Sequence, residues 1–223
     1  MFDEAVAEAH ALDNDVAWMS VLGAARSHGR LDIGELALKE LHRLGTDKAE
    51  LASAHVQMSH IYTAHGRDEQ AAEMRRVMKN EKLHKLPGES CIEVGGVLHT
   101  FRVGDTSHPE MTKIVALNDE LHQKLRSAGY VGNTVWASRD ASTPNQTKEQ
   151  LLCEHSERLA LVYGVLHSAH GQPLTIFKNL RVCGDCHNAT KYASKVLERK
   201  LAVKDMNRWH VFVEGKCSCG DFW

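Results

Sequence analysis

Four of the six cysteines form two close pairs, and this pairing constrains the fold more than any other feature of the chain. Cys183 and Cys186 stand in the segment CGDCH, whereas Cys217 and Cys219 lie near the C-terminus. A CxxC segment followed by histidine is compatible with a redox dithiol, a c-type haem attachment site or part of a metal site. Because the chain also has 15 histidines and no recognisable secretory signal, we favour metal binding over disulfides.

The N-terminal segment MFDEAVAEAHALDND is acidic, and it lacks both the apolar stretch of a signal peptide and the arginine-rich character of a transit peptide. We expect the chain to be part of a longer precursor, because it starts inside a helical pattern; a cytosolic protein is the alternative. No stretch approaches the roughly 18 apolar residues of a membrane span, so we expect no membrane partner. The net charge of −2 at pH 7 does not indicate a general basic field for nucleic acid.

Residues 1–84 have the pattern of an internally repeated, all-helical segment. VAWMSVLGAARSHGR and SAHVQMSHIYTAHGR both end in HGR, at 28–30 and 65–67, an offset of 37 positions, and an amphipathic stretch comes after each. This period is close to the roughly 34 residues of tetratricopeptide repeats and predicts two helix–turn–helix units. Two such units bury little surface alone, so we expect them to cap a longer array or to pack on the C-terminal part of the chain.

The pattern changes at LPGES (86–90). CIEV and VLHTFRV then predict two short strands around a turn at Gly95 and Gly96, residues 108–127 predict a helix, and the polar stretch 139–150 resembles a loop. From residue 151 the predicted order is helix, strand, helix, strand, strand, over LLCEHSERLALVYGVL, LTIFKNL, GDCHNATKYASKVLERK, LAVKD and WHVFVE. This alternation predicts an α/β or α+β fold with helices flanking a central sheet.

A first set of metal ligands is predicted where two helices of this region begin. His155 opens one helix, and Cys183 and Cys186 open the next. Zinc deaminases hold their metal with one histidine and two cysteines, and a glutamate two residues after the histidine moves protons, in the signature HxE…PCxxC. The segment HSE supplies Glu157 at that position, although Val182 replaces the proline. The order and spacing therefore predict a catalytic zinc on these three ligands, with Glu157 as general acid and base.

A second set of ligands is predicted at the C-terminus. Cys217 and Cys219 are separated by one residue, too close for a comfortable disulfide, and His210 precedes them. Because three ligands would be unusual for a structural zinc, we expect His187 to be the fourth; its alternative is an ordinary polar helix residue. The segment CGDCH would then contribute to two zinc ions, one catalytic and one structural. The redox and haem interpretations account for none of these partners.

The motifs HSERLALVYG, KNLRVCGDCHNATKYASKV, NRWHVF and CSCGDFW closely resemble the DYW domain of plant pentatricopeptide-repeat RNA editing factors. LPGES resembles the PG box of that family, and the helical repeats before it resemble the E1 and E2 motifs. The resemblance implies a cytidine-deaminase-like fold after a tetratricopeptide-like segment. It assigns residues 1–84 to E1 and E2, 85–150 to the PG box and a gating insertion, and 151–223 to the zinc-binding core with a DYW-type C-terminus.

The same resemblance implies hydrolytic C-to-U deamination of organellar transcripts in a mitochondrion or a chloroplast. The substrate would be a cytidine in single-stranded RNA, since the base has to be unstacked to enter the site. Target choice would belong to an upstream pentatricopeptide-repeat array, and other editing factors are further expected partners.

Predictions of RNA contacts rest on weaker patterns, because a basic helix face is commonly just solvated. Lys178, Arg181 and Lys191 lie in a locally basic stretch and are candidate phosphate contacts. Trp223, the last residue, is a candidate for contact with RNA or with the mouth of the active site. We expect Trp209 to pack around the second zinc site instead.

Two other functions are compatible with parts of these patterns. A catalytically silent, zinc-stabilised module could bind RNA or act as a scaffold and recruit a deaminase in trans, but it would not need Glu157. A free-nucleoside deaminase would act without any repeat array, and the long helical segment at the start of the chain argues against it.

Overall fold

The computed structural model describes residues 2–83, 87–137 and 147–221. The chain divides into two compact units at the boundary between residues 86 and 87. Most of the predicted loop 139–150 and the terminal Trp223 lie outside the described residues. Within the described ranges, no helix is both long and apolar enough to cross a membrane.

The described part of the first unit is helical. Its elements are α1 (Phe2–Leu12), α2 (Asp15–Ser27), α3 (Leu31–Arg43), α4 (Lys48–Ala64) and α5 (Asp68–Asn80). Asn14 and Asp47 cap α2 and α4, because their side chains accept hydrogen bonds from backbone N–H groups of the first turn. The fully buried Trp18, Leu22 and Met58 form part of one core among these helices. The two predicted helix–turn–helix units are thus present as the pairs α2–α3 and α4–α5, while their likeness to tetratricopeptide repeats stays a prediction.

Both HGR segments form the turns inside these helix pairs. Gly29 and Gly66 have φ angles of +62° and +68°, in the left-handed region that closes a helix and that side chains with a Cβ rarely adopt. His65 Nε2 lies 2.9 Å from the carbonyl oxygen of Gly29, so the two repeated turns contact each other. The HGR segments that repeat in the sequence therefore form the turns after α2 and α4.

The second unit is built on a six-stranded sheet with the order β2-β1-β3-β4-β5-β6. Its strands are β1 (Glu89–Val94), β2 (Val97–Arg102), β3 (Leu174–Lys178), β4 (Leu201–Lys204), β5 (Trp209–Val213) and β6 (Lys216–Cys217). Strands β3 and β4 are parallel, and the other neighbouring pairs are antiparallel. The predicted β1–β2 hairpin is confirmed, with Gly95 and Gly96 at φ +59° and +79°, as a two-residue turn of type I′ requires.

Helices pack on one face of this sheet. They are α6 (Met111–Ser127), α7 (Lys148–Cys153), α8 (Ser156–Leu166) and α9 (Gly184–Val196), with a 3₁₀ turn at Thr134–Trp136. Ile92, Ile176 and Val203 face the helices and are buried with them in one core. Gly164 lets α8 approach closely, because a Cβ at that position would lie 2.5 Å from the Ile92 side chain. The prediction of a mixed α/β unit with helices on a central sheet is confirmed.

The segment LLCEHSERLALVYGVL is predicted as one helix, and this prediction is wrong. The helix is interrupted at Glu154 and His155, which separate α7 from α8. Asn118 donates a hydrogen bond from Nδ2 to the Cys153 carbonyl at 2.7 Å, so that carbonyl is satisfied outside a helix. Thr147 begins α7 with a capping box, which also shortens the predicted loop before it.

Candidate metal centres

His155, Cys183 and Cys186 come together where α8 and α9 begin. His155 and Cys183 are the residues that precede the first turns of the two helices. Nδ1 of His155 lies 3.3 Å from Sγ of Cys186 and 3.4 Å from Sγ of Cys183. The three ligand atoms all lie within 4.8 Å of one another. The break between α7 and α8 thus allows His155 to face the start of α9.

This donor set fits a zinc ion. Zinc takes histidine nitrogen and cysteine sulfur in tetrahedral geometry, in which two such ligand atoms lie roughly 3.6 Å apart. The observed N···S separations of 3.3 and 3.4 Å come close to that spacing. Three protein ligands are the number typical of a catalytic zinc site, which leaves one coordination position for water or substrate.

The two thiols of this cluster share one negative charge. The pKa of Cys183 is lowered to about 5, chiefly by its hydrogen bond with Cys186 and further by His155, against the effect of burial. The pKa of Cys186 is raised, because it is the proton-bearing partner in that hydrogen bond and is itself buried. The backbone N–H of Cys186 also donates to Sγ of Cys183 at 3.3 Å, as expected at a helix start. A metal-binding thiolate is therefore available at neutral pH.

Glu157 lies in the first turn of α8 and is only 6% exposed. Its Oε2 lies 3.3 Å from Nζ of Lys178 and accepts a hydrogen bond from Oγ of Ser156 at 3.2 Å. Burial acts to raise the pKa of this carboxyl, but the positive charges of Lys178 and His155 outweigh it and lower the pKa. Glu157 is thus a buried, ionised carboxylate two residues along the chain from a candidate metal ligand.

Lys178 does not have the exposed position expected of a phosphate contact. The residue is 9% exposed, and its ammonium group donates to Oγ of Ser156 at 2.8 Å besides pairing with Glu157. The alternation of β3 could have predicted this, because Leu174, Ile176 and Lys178 lie on the same, buried face of the strand.

A buried ion pair behind the first cluster is not predicted from the sequence. Asp185, between the two cysteines of CGDCH, accepts a hydrogen bond from Arg158 at 2.7 Å, and both side chains are buried. Tyr130 donates to Oδ1 of Asp185 at 2.7 Å, and the backbone N–H of Asn133 donates to the same oxygen at 2.8 Å. Arg158 also donates to the Tyr130 hydroxyl. This network fixes the first turn of α9 against α8 and residues 130–133. In the sequence, the feature that could have indicated it is the acidic Asp185 inside the CxxC segment.

The second predicted set is also brought together. The ligand atoms of His187, His210, Cys217 and Cys219 lie within 4.8 Å of one another. His187 Nε2 is 3.2 Å from Sγ of Cys219, and His210 Nδ1 is 3.7 Å from Sγ of Cys217. Two imidazoles and two thiols at these separations form a donor set that fits a closed, four-ligand zinc site.

Carboxylates contact the outer nitrogens of both histidines in this second set. Asp205 accepts from Nε2 of His210 at 3.2 Å, and Oδ1 of Asp221 lies 3.9 Å from Nδ1 of His187. The pKa of His187 is lowered to about 4, first by burial and then by His210, which keeps the ring neutral, as a metal ligand must be. No local sequence pattern indicates either carboxylate, since their roles depend on tertiary contacts.

The remaining predicted residues lie in varied environments. Arg181 is half-buried, and Lys191 pairs with Asp221 at 2.6 Å. Trp209 does not pack around the second cluster: it is 48% exposed, and its ring lies 5.8 Å from that of Phe177. The reason is the alternation of β5, which turns His210 inward and Trp209 to the opposite face.

Comparison with known proteins relates both units to sequence families. Residues 129–223 match the DYW family of nucleic acid deaminases, and residues 28–93 match the E motif. Two similar proteins from Arabidopsis thaliana are pentatricopeptide repeat-containing proteins At3g49170, chloroplastic, and At3g57430, chloroplastic. The first is 41% identical over 93% of this chain and 24% of its own length, and the second is 42% identical over 93% and 23%.

A third relative from Arabidopsis thaliana, pentatricopeptide repeat-containing protein At3g26782, mitochondrial, is 39% identical over 94% of this chain and 31% of its own length. The chain thus spans between about a quarter and a third of the length of these curated relatives. The motifs, the two ligand clusters and the matches agree: residues 129–223 belong to the DYW family of nucleic acid deaminases, and the E motif precedes them at residues 28–93.

Proposed function

We propose that this chain is a zinc-dependent RNA cytidine deaminase that converts C to U by hydrolysis in organellar transcripts. The observation that carries the proposal is the buried, ionised Glu157 in the helix turn directly after the histidine of a His–Cys–Cys cluster. A cluster that only stabilised the fold would not need a carboxylate at this position, since burying a charge is costly. The match of residues 129–223 to a family of nucleic acid deaminases supports the proposed class of reaction.

In this proposal His155, Cys183 and Cys186 hold the catalytic zinc. A zinc ion there would supply an activated water molecule for attack on C4 of cytosine. Glu157 would accept a proton from the attacking water, deliver it to N3 of the base, and assist the departure of the amino group as ammonia. His187, His210, Cys217 and Cys219 would hold a second zinc ion, which would have a structural role because four protein ligands close the site.

The arrangement of the second unit supports a cytidine-deaminase-like fold, because both ligand-bearing helix starts lie on the same face of one sheet. We assign residues 1–84 to tetratricopeptide-like E1 and E2 motifs, 85–150 to the PG box and gating insertion, and 151–223 to the zinc-binding core. The match to the E motif over residues 28–93 supports the first assignment.

Single-stranded RNA is the proposed substrate, and an upstream pentatricopeptide-repeat array selects the target. The relatives' names, which include a pentatricopeptide repeat and either chloroplastic or mitochondrial, support this partner and an organellar location. Arg181, Lys191 and Trp223 remain the proposed RNA contacts, and other editing factors remain proposed partners.

The test fuses the chain to a pentatricopeptide-repeat array of known target and measures conversion of that target cytidine to uridine. Glu157→Gln keeps the shape of the side chain and removes its charge, so we expect conversion to fall at least about a hundredfold while zinc content is unchanged. Glu149→Gln is the matched control, because this glutamate is exposed and pairs only loosely with Arg126 at 3.5 Å. Undiminished conversion in zinc-loaded Glu157→Gln would assign the chain to a scaffold that recruits another deaminase.

A further inference from the structure

We infer that Lys178 is a positioning residue for Glu157, and that the segment Pro87–Ser90 sets the position of Lys178. This inference rests on the proposed role of Glu157 and extends it to residues that touch neither substrate nor metal. The segment Pro87–Ser90 contains the first described residues of the second unit. A short series of contacts therefore connects the start of that unit with the proposed catalytic carboxylate.

The side chains of Lys178, Ser156 and Glu157 form a closed triangle of contacts. Lys178 Nζ donates to Ser156 Oγ at 2.8 Å and lies 3.3 Å from Glu157 Oε2, while Ser156 Oγ donates to the same Oε2 at 3.2 Å. All three side chains are buried. Glu157 Oε2 is thus held from two directions, by an ammonium and by a hydroxyl.

The hydrogen-bonding capacity of the Ser156 hydroxyl connects this triangle to Ser90. A serine hydroxyl has one proton to donate and two lone pairs to accept with. Ser156 gives its proton to Glu157, so it accepts from Lys178, and its second lone pair is available for the Ser90 hydroxyl at 2.9 Å. Ser90 is then the donor, so the proton and both lone pairs of the buried Ser156 hydroxyl have partners.

The segment Pro87–Ser90 is fixed to the strand end that carries Lys178. Asn179 donates from Nδ2 to the Pro87 carbonyl at 3.0 Å and accepts from the Glu89 N–H at 2.8 Å through Oδ1. Its own backbone N–H donates to the Glu89 carbonyl at 3.1 Å. Three hydrogen bonds with Asn179, two donated and one accepted, therefore align the segment with the neighbouring Lys178.

Gly88 lies so near the Lys178 ammonium that there is no room for a side chain between them. A Cβ at this position would lie 2.8 Å from Lys178 Nζ, with no backbone atom among the nearest neighbours. Gly88→Ala would therefore displace the flexible end of one side chain rather than the fold. This substitution lies outside the metal cluster and the proposed catalytic residue, and it requires the ammonium to leave its present position next to Glu157.

The first test measures the position of Lys178 without any activity. Lysines of the zinc-loaded fusion are labelled with acetic anhydride, and the rate at each site is followed by mass spectrometry. We expect Lys178 to react at least about tenfold more slowly than the exposed Lys113, and to lose most of this protection in Gly88→Ala. Equal rates at Lys178 and Lys113, or unchanged protection in Gly88→Ala, would overturn the inference.

The second test separates positioning from mere neutralisation of a buried charge. Under single-turnover conditions with saturating enzyme, we expect Lys178→Met to slow conversion by about tenfold to a hundredfold at unchanged RNA affinity and zinc content. Lys178→Arg should restore part of the rate, and Gly88→Ala should lose about tenfold. Lys204→Met is the control, because Nζ of that lysine, on the neighbouring strand, donates to the Asp205 backbone carbonyl at 2.9 Å and pairs with no carboxylate among the described residues.

The two tests distinguish a failure of this inference from a failure of the proposed function. If Lys178→Met and Gly88→Ala convert at the wild-type rate, Lys178 does not position Glu157, whatever the function of the chain. If the wild-type fusion converts no cytidine, the proposed function is wrong, while the labelling rates still decide whether Pro87–Ser90 holds Lys178 in place. A variant that loses zinc as well as rate would indicate a structural role and would also contradict the inference.

Discussion

Asp205 accepts a hydrogen bond from Nε2 of His210 at 3.2 Å, and this contact leaves Nδ1 of the ring to face Cys217. The carboxylate is itself held by the backbone N–H groups of Val182, Asn207 and Arg208, at 3.1, 2.8 and 2.9 Å. Burial acts to raise the pKa of Asp205, but the hydrogen bonds from His210 and these three N–H groups lower it. A carboxylate that fixes the ring orientation of a histidine is the usual outer partner of a metal ligand.

Asp205→Asn should therefore weaken zinc binding at the second cluster about tenfold to a hundredfold, because the amide holds the His210 ring less firmly. The measurement is the rate and extent of zinc transfer to a chromogenic chelator, in which two sites give two phases. Asp221→Asn is the control, since Asp221 is exposed and 3.9 Å from His187, and its effect should be smaller. Equal effects of the two substitutions would contradict the assignment of Asp205.

Zinc content provides a direct prediction for the ligand clusters. We expect two zinc ions per folded chain by elemental analysis, falling to about one in the double variant Cys217→Ser/Cys219→Ser. The melting temperature of that variant should fall as well, because a structural zinc contributes to folding. One zinc per chain in well-folded wild-type protein would exclude the second site.

The buried Arg158–Asp185 pair should matter greatly for stability. Arg158→Met leaves Asp185 as an unpaired buried charge, which we expect to cost about 3–5 kcal/mol of unfolding free energy. Urea titration with zinc in excess measures this difference. Arg126→Met removes an arginine from the exposed pair with Glu149 and should cost less than about 1 kcal/mol. A similar cost for both variants would mean that the buried network does not hold α9 in place.

His122 predicts a dependence of stability on pH. Its pKa is lowered from 6.5, first by burial and then by the positive charges of Arg158 and Arg126. The unfolded chain therefore binds the proton first, so the stabilising contribution is complete above pH 6.5 and decreases as the pH falls from there toward the lowered pKa. His122→Gln should reduce the loss of stability between about pH 7 and pH 5, measured by urea midpoints. An unchanged pH dependence in this variant would exclude His122 as its source.

The ligand clusters could be predicted because their signals are short-range. CxxC and HxE fix the spacing of ligands on a helix start, and the second pair, Cys217 and Cys219, lies in a tight hairpin after β5. The outer residues could not be predicted in this way. Arg158 and Asp185 are 27 positions apart, and Asp205 acts through a loop between two strands. Their roles result from the packing of α8 on α9 and of the sheet on both helices.

Two errors have physical reasons of a different kind. The prediction of one helix over residues 151–166 misses the break at Glu154 and His155, where the helical backbone is interrupted between α7 and α8. The prediction for Lys178 rests on its charge, whereas strand alternation places it on the buried face. The helix break depends on a contact distant in sequence, from Asn118, whereas the burial of Lys178 could have been predicted from the alternation of its own strand.

Cys186 and His187 are consecutive residues of α9, and each belongs to a different ligand cluster. One residue of helix corresponds to a rotation of about 100° and a rise of about 1.5 Å, so these two side chains leave the helix in directions set by that single step. An insertion or deletion of one residue between Cys183 and His187 would turn His187 away from Cys219 even if every ligand were retained. The number of residues in this segment is therefore as strict a requirement as their chemical identity.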